Sequence, residues 1–291
     1  MYVLNTGDWH SGHKLGLCNP ETEFWSVDEN GNREVEYPVL THTQEYMWKI
    51  FPEHVAEVRS VTGDKPVILF IGGDSTHGNK FPEQLTRWRP ADQIAIAVAN
   101  VGAMISELNI VKIRLIGGTG VHSLGDNSAD ISMETQLRDK YPQIDTQLVM
   151  HGLAEVNDVT FDIAHQGPPP GSRTWLKGNV ARLYLVSLML DELADGREPP
   201  DVVVRYHYHE YIEVTHTINR VVGERLVPCT SRLFIVPSYC GLNEYGRKVG
   251  RSPHKLMNGM LLHDVPEEGL YGLIHKPLIS VKDLRAKEKL W

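Results

Sequence analysis

Apolar residues along this chain follow two rhythms that alternate. Val67-Ile68-Leu69-Phe70-Ile71 is an unbroken run, rich in β-branched types, that stops abruptly at Gly72-Gly73-Asp74. Such a run predicts a strand buried on both faces. Tyr2–Thr6 and residues 111–116 also read as strands. They end in Gly7-Asp8-Trp9-His10 and in Gly117-Gly118-Thr119-Gly120-Val121-His122. Between these runs the apolar period lengthens to that of a helix. Met47, Ile50, Phe51, Val55 and Val58 predict one helix capped by Thr41 or Thr43. Ile94, Val98, Val101, Ile105 and Leu108 predict a second, opened by Arg89-Pro90-Ala91-Asp92. Strand, helix, strand, helix, strand at this spacing is the rhythm of parallel βαβ units and an α/β fold.

After a helix expected over residues 130–141 the pattern shifts. Residues 146–156 and Val159–Ala164 read as neighbouring strands, the second ending at His165. The string QGPPPGSRTW that follows is too rich in proline and glycine for either element. Residues 180–193 form a third clear helical pattern. Residues 201–204 read as a strand ending in Arg205-Tyr206-His207-Tyr208-His209. The remainder, through Phe234-Ile235-Val236-Pro237 and residues 261–279, reads as antiparallel strands. Residues 13–42 are long for a loop and read as an insertion. Within it, Phe24, Trp25 and Val27 face Val35 and Tyr37 across an Asn30-Gly31 turn, which predicts a hairpin. The string Asp28-Glu29-Asn30-Gly31-Asn32 has its glycine out of register with a calcium loop and reads as a turn. Residues 283–291 are basic and read as a solvated tail. Nothing marks an internal repeat or domain boundary, so residues 1–291 are expected to form one domain.

The chain has 291 residues, 41% hydrophobic and 23% charged, ordinary for a globular protein with a substantial core. No apolar run approaches the ~20 residues of a membrane span. The N-terminus enters a strand directly, without the segments of a signal peptide. Cys18, Cys229 and Cys240 form no paired framework, which favours a reducing, cytoplasmic setting. A net charge of -8 argues against a broad basic surface for nucleic acid. It does not exclude a nucleic-acid substrate, because bound dications neutralise phosphate locally.

In order, the strand ends carry Asp8-x-His10, Gly73-Asp74, Gly118-Thr119-x-x-His122, His165 and His207-x-His209. Carboxylate and imidazole together suit Zn, Mn and Fe, ions often used in pairs. Residues two apart on a strand point the same way, so Asp8 with His10, and His207 with His209, can each reach one site. A D-x-H or H-x-H triplet alone is commonplace; five pieces in order, each after a strand, are not.

With these residues in place the chain resembles the calcineurin-like metallophosphoesterase superfamily, whose pattern is D-x-H, GD, GNH, a lone H, then GH-x-H. The resemblance covers residues 2–211. It is nearest to the phage and prophage subset, with G-T-x-x-H in place of GNH, the string Ala164-His165-Gln166-Gly167, and a Pro200-Asp201-Val202-Val203 run before His207 and His209. The resemblance implies a four-layer α/β/β/α sandwich with two divalent transition metals (Mn, Zn or Fe). Asp8, His10, Asp74 and His209 would hold one ion; Asp74, His165 and His207 the other, with Asp74 bridging. It implies a phosphoesterase, expected to be a phosphodiesterase or nuclease, working by in-line attack of a metal-bridging hydroxide. His122 would protonate the leaving alkoxide as general acid, or fill a coordination slot. The substrate would be a phosphate ester, nucleic acid among the candidates, with no membrane partner; a phage-encoded chain would work in the host cytoplasm.

The chain departs from the pattern at three places. Thr119 stands where the family has an asparagine ligand, Tyr206 where it has glycine before His207, and His77 where it has a supporting aspartate. The missing asparagine leaves a second reading, a non-catalytic binding or scaffold protein on the same fold with an impaired metal site. An amidohydrolase would carry H-x-H near the first strand, and a β-lactamase-like enzyme H-x-H-x-D-H; neither fits. His151 reads as structural, and His13, His42, His54, His216, His254, His263 and His275 as surface or satisfied core residues. Arg173 and Arg205 read as salt-bridge partners before phosphate ligands, Glu134 as a solvated helix residue, and the tryptophans, Tyr206 and Tyr208 as core before base-stacking platforms.

Overall fold

The computed structural model describes residues 1–171, 176–242 and 255–285. Six strands form the first sheet: β1 (Tyr2–Thr6), β4 (Val67–Ile71), β5 (Ile110–Ile116), β6 (Asp145–Val149), β12 (Lys255–Asp264) and β13 (Ile274–Asp283). Their spatial order is β13-β12-β1-β4-β5-β6. The strands β1, β4, β5 and β6 run parallel, with Leu4 beside Leu69 and Leu69 beside Ile113. The last two strands are added antiparallel at β1. Five strands form the second sheet: β7 (His151–Val156), β8 (Val159–Ala164), β9 (Val202–Arg205), β10 (Ile212–Val222) and β11 (Arg225–Ile235). Their order is β10-β11-β9-β8-β7, with β9 parallel to both its neighbours.

Alternation along the strands sends successive side chains to different apolar clusters. Leu4, Leu69 and Ile113 pack with helices α1 (His42–Thr62), α2 (Pro90–Glu107) and α3 (Ser128–Lys140). Val3, Phe70 and Ile116 instead meet Phe161, Val202, Val204 and Phe234 of the second sheet. Val203 joins Ala181, Leu185 and Met189 of helix α4 (Asn179–Ala194). Each such side chain, fully buried, contributes about 1.5–3 kcal/mol. That double use explains why β4 is a continuous apolar run; β1 carries Asn5 and Thr6 at its end, and β5 carries Lys112 and Arg114.

Thr41 supplies the cap of α1: its hydroxyl accepts the Gln44 N–H, and Gln44 returns a bond to the Thr41 N–H. The insertion contains the hairpin β2 (Phe24–Val27) with β3 (Arg33–Glu36). The Asp28 carboxylate accepts from the backbone of Asn30 and Asn32, so it closes the turn. Residues 146–156 differ from expectation. They divide at Met150 into β6 of the first sheet and β7 of the second, because a two-residue alternation continues unbroken when a chain changes sheets. The terminal segment differs too: β13 runs to Asp283, and residues 286–291 lie outside the described residues. Among the described residues no helix is long and apolar enough to cross a membrane.

Candidate metal centre

Beyond the ends of β1 and β4 the two chains stay side by side without being strands. Asp8 N–H donates to Gly73 O (3.0 Å), His10 N–H to Asp74 O (2.9 Å) and Ser11 N–H to Ser75 O (2.9 Å). This irregular ladder holds Asp8, His10 and Asp74 in the left-handed region, with φ of 50°, 46° and 45°. His207 and His209 share that conformation at 74° and 55°. Among the described residues nine non-glycine positions have positive φ, and five are these donors. Side chains resist that region, at about 1–3 kcal/mol each, and such strain gathers at functional sites.

The donors converge. His165 Nε2 lies 3.2 Å from Asp74 Oδ2 and 3.2 Å from His207 Nδ1. His10 Nε2 lies 3.2 Å from His209 Nε2, which is 3.6 Å from Asp8 Oδ1. Among the described residues four groups have all their donor atoms within 4.8 Å of one another: Asp74, His165 and His207; Asp8, His10 and Asp74; His10, His77 and His122; and His10, His209 and Cys240. The first two share a carboxylate. Asp74 belongs to both. Donors around one ion at ~2.0–2.1 Å stand about 3.0–3.4 Å apart, and the 3.2 Å spacings fall in that range.

Hydrogen bonds around the donors orient them for that task. His165 Nδ1 donates to Gly72 O (2.6 Å), turning Nε2 inward. Asp8 Oδ2 accepts the His207 N–H at 2.8 Å, whereas Asp8 Oδ1 is buried without a hydrogen bond, its neighbour being His209 Nε2 at 3.6 Å. A buried carboxylate oxygen without a donor is costly, and a cation would satisfy it. The donor set therefore fits divalent ions.

Thr119 does not stand in for the asparagine as a simple replacement. Its backbone N–H donates to Asp74 Oδ1 (2.7 Å) and its hydroxyl lies 3.0 and 3.2 Å from the two carboxylate oxygens. It orients Asp74. His77 places its Nδ1 3.3 Å from His10 Nδ1. His122 turns Nδ1 to the His77 carbonyl (2.7 Å), leaving Nε2 4.0 Å from Asp74 Oδ2. Its ring stands edge-on to His10 at 4.5 Å.

Electrostatics follow from this crowding. Burial raises the Asp74 carboxyl, but the hydrogen bond and charge of His165 outweigh it and hold the group below the usual carboxylate range. Burial lowers His165, yet its bond to Asp74 and the charges of Asp8 and Asp74 raise it above the usual imidazole range. His10 is pushed well down by burial and then by His122, His209, His77 and His13. Burial, His13 and His122 lower His77 to about 3. His10 and His77 are thereby kept neutral, the form in which an imidazole can ligate a metal, whereas His165 must shed a proton to do so.

Several other expectations meet a definite surrounding. His13 is buried, its Nδ1 accepting the Leu15 N–H and its Nε2 facing Gln84. His54 bonds Tyr239 and Ser280, and exposed His151 pairs with Asp162. His263 and His275 face each other at 2.6 Å, each with a buried, unpartnered Nε2, so this pair is core but not satisfied. Arg205 is fully buried and pairs with Asp162 and Tyr184, a salt bridge rather than a free cation. Glu134 pairs with Arg138. Trp9 and Tyr206 are core, but Trp25 and Trp88 are exposed. Arg173, Trp175, His254 and Trp291 lie outside the described residues.

Three further residues bear on the site without having marked themselves in the sequence. Gln93 of α2 accepts the backbone N–H groups of His77 and Gly78 and donates to the Gly78 and Arg87 carbonyls, fixing the loop that carries His77. Asp130 of α3 accepts the Gly118 N–H, and burial raises its carboxyl to about 6. Cys240 brings its sulfur within 4.8 Å of His10 and His209 nitrogens.

No family model matches the chain, and no curated protein matches it. Among solved structures it is similar to Vps29 of Chaetomium thermophilum, at 7% identity and a TM-score of 0.37, over 98% of this chain and 97% of that one. It is also similar to AQ665, a protein of unknown function from Aquifex aeolicus, at 13% identity and a TM-score of 0.33, over 72% of this chain and 80% of that one.

Proposed function

We propose that this chain is a metal-dependent phosphoesterase of the calcineurin-like type, with its two sheets and four helices in a four-layer α/β/β/α sandwich. The observation that carries the reading is one carboxylate, Asp74, common to two converging donor groups. Asp8, His10, Asp74 and His209 would hold one divalent ion, and Asp74, His165 and His207 a second. Such a pair supplies Lewis acidity and a nucleophile at neutral pH. The chain's own residues do the rest. Thr119 fixes the shared carboxylate, the Gly72 carbonyl aims His165, and Gln93 fixes the His77 loop. His122, with Nδ1 engaged at His77 O, has Nε2 available to hold a proton for the leaving oxygen.

The substrate in this reading is a phosphodiester, with a nucleic acid as the best fit. An open hollow of about 380 Å³ lined by Asn79, Lys80, Gly120, Val121 and Leu124 borders the His122 loop. In the segment that follows Lys80, Phe81 and Trp88 are exposed, with Lys80 over the Phe81 ring and Arg89 over the Trp88 ring. Aromatic faces stack on bases and cations meet the backbone phosphates.

The test is metal content after purification without chelator, with hydrolysis of bis(p-nitrophenyl) phosphate against p-nitrophenyl phosphate. At least one equivalent of transition metal and a chelator-sensitive preference for the diester are expected. Less than a tenth of an equivalent, unrecoverable with Mn or Zn, would replace this reading by that of a non-catalytic binding protein.

A further inference from the structure

Cys240 lies between β11 and β12. Its Sγ and the ring nitrogens of His10 and His209 form one group of donors within 4.8 Å of one another. The side chain is 4% exposed, and among the described residues the sulfur has two weak hydrogen-bonding neighbours. They are the Gly241 carbonyl at 3.5 Å and His13 Nδ1 at 3.9 Å. That nitrogen already accepts the Leu15 N–H at 3.1 Å. The backbone here is pinned: Ser238 Oγ accepts the Cys240 N–H, and Asn258 Nδ2 donates to the Ser238 and Cys240 carbonyls. A second observation at the same place is independent of the sulfur. Asp8 Oδ1 is fully buried, has no hydrogen-bond partner, and lies 3.6 Å from His209 Nε2.

We propose that Cys240 is a thiolate ligand of the ion held by Asp8, His10 and His209. The S–H bond breaks as the sulfur–metal bond forms, the proton passes to solvent, and no electron is transferred. The inference rests on the metal-centre reading above and adds a selectivity to it. A thiolate beside two imidazoles favours Zn, Co and Fe over Mn and Mg, which prefer oxygen. The position would then differ in kind from the Asp74, His165 and His207 position, whose donors are nitrogen and oxygen alone.

Cobalt(II) alone is the probe, added to the metal-free full chain. The wild type should show visible d–d bands together with a near-ultraviolet sulfur-to-cobalt charge-transfer band. In Cys240→Ser that band should vanish while d–d absorption persists. Cobalt affinity at that position should weaken by at least the roughly 10–100-fold that loss of a mere supporting partner costs. Cys18→Ala, whose thiol packs with Phe24 and Ile96, should keep the band. The wild-type spectrum decides the matter even where a variant folds poorly. Cobalt d–d bands without charge transfer in the wild type would overturn the thiolate assignment and leave the metal centre standing. No cobalt absorption at all would overturn both.

Discussion

Replacing Gly72 by alanine tests how tightly the strand ends are built. Gly72 ends the β4 run, with its N–H donating to Thr6 O (2.7 Å) and its carbonyl accepting from His165 Nδ1 (2.6 Å). A Cβ there would lie 2.1–2.3 Å from three atoms of the Tyr206 ring. Carbon atoms pack no closer than about 3.5 Å, so roughly 1.4 Å must be found. Tyr206 cannot easily give it. The ring is fully buried, its hydroxyl donates to Asn5 Oδ1 (2.9 Å) and its N–H to His165 O (3.0 Å). If the ring leaves, the loss resembles truncation of a buried aromatic, about 3–5 kcal/mol. If the strand end moves, overpacking costs about 1–3 kcal/mol, and each buried polar group left unpaired adds about 1–3 kcal/mol. Either route predicts about 3 kcal/mol or more, a large share of a total of about 5–15 kcal/mol. Urea unfolding of the metal-free protein measures it. Gly120→Ala, whose new methyl would meet nothing nearer than 3.9 Å, is the control. Gly72→Ala combined with Tyr206→Leu should recover part of the loss, because the clash and the ring are one interaction. A Gly72→Ala variant within 0.5 kcal/mol of wild type, with metal content intact, would refute this reasoning.

Three other expectations follow from the same geometry. His122→Ala should keep its metals, lose about 10²–10⁴-fold on alkyl phosphodiesters and far less on nitrophenyl esters, whose leaving groups need no proton; loss of one metal equivalent would make His122 a ligand. In metal-free protein His209→Gly should be more stable than His209→Ala by about 1 kcal/mol, since only glycine is at ease at φ 55°, although both lose metal; equal stabilities in urea would remove the strain argument. The Asp74–His165 pair sets a pH dependence of two signs. Because His165 is raised and Asp74 depressed, the pair's contribution to metal-free stability is full between roughly pH 4 and 6.5, is lost as pH climbs through the raised His165 value, and is lost as acid protonates Asp74. Metal binding runs the other way, because His165 must shed its proton to ligate. Affinity at its site should rise about tenfold per pH unit below that raised value, and a flat profile from pH 6 to 8 by competition titration would contradict the pairing.

Much of this was legible in the sequence for a physical reason. A strand such as Val67–Ile71, covered on both sides, leaves a continuous apolar run that ends where the cover ends, so its last residues mark a site. The strand ends Asp8, His10, Asp74, His165, His207 and His209 were readable in that way. Met150 was not, because a chain crossing from one sheet edge to another keeps the same alternation. Gln93 and Asp130 were not, because both lie within the first turn of a helix and look like ordinary polar cap-proximal residues. Cys240 was silent because its partners are about 230 and 30 residues away, a distance no local pattern spans. Trp88 resembles a core residue in composition, and only the loop geometry leaves it exposed.

The backbone conformation carries an argument that neither the side-chain types nor the distances supply alone. The segments beyond β1 and β4 use glycine where the chain turns left-handed without a chemical duty, at Gly12, Gly73 and Gly78. At Asp8, His10 and Asp74, in the same two segments, the same region of φ is occupied by residues with a Cβ. Asp and His tolerate it better than most, but glycine would still relieve strain of about 1–2 kcal/mol per residue. A segment arranged for stability alone would carry glycine there as well. What the strained residues add over glycine is a donor atom: His10 Nε2, Asp8 Oδ1 and Asp74 Oδ2 each face another donor, while the carboxylates also accept ordinary hydrogen bonds from His207 and Thr119. Binding that stabilises the folded state by about 2.7 kcal/mol at a hundredfold excess over Kd offsets one or two such residues. On the reading proposed above, two bound ions would offset a larger share of the set.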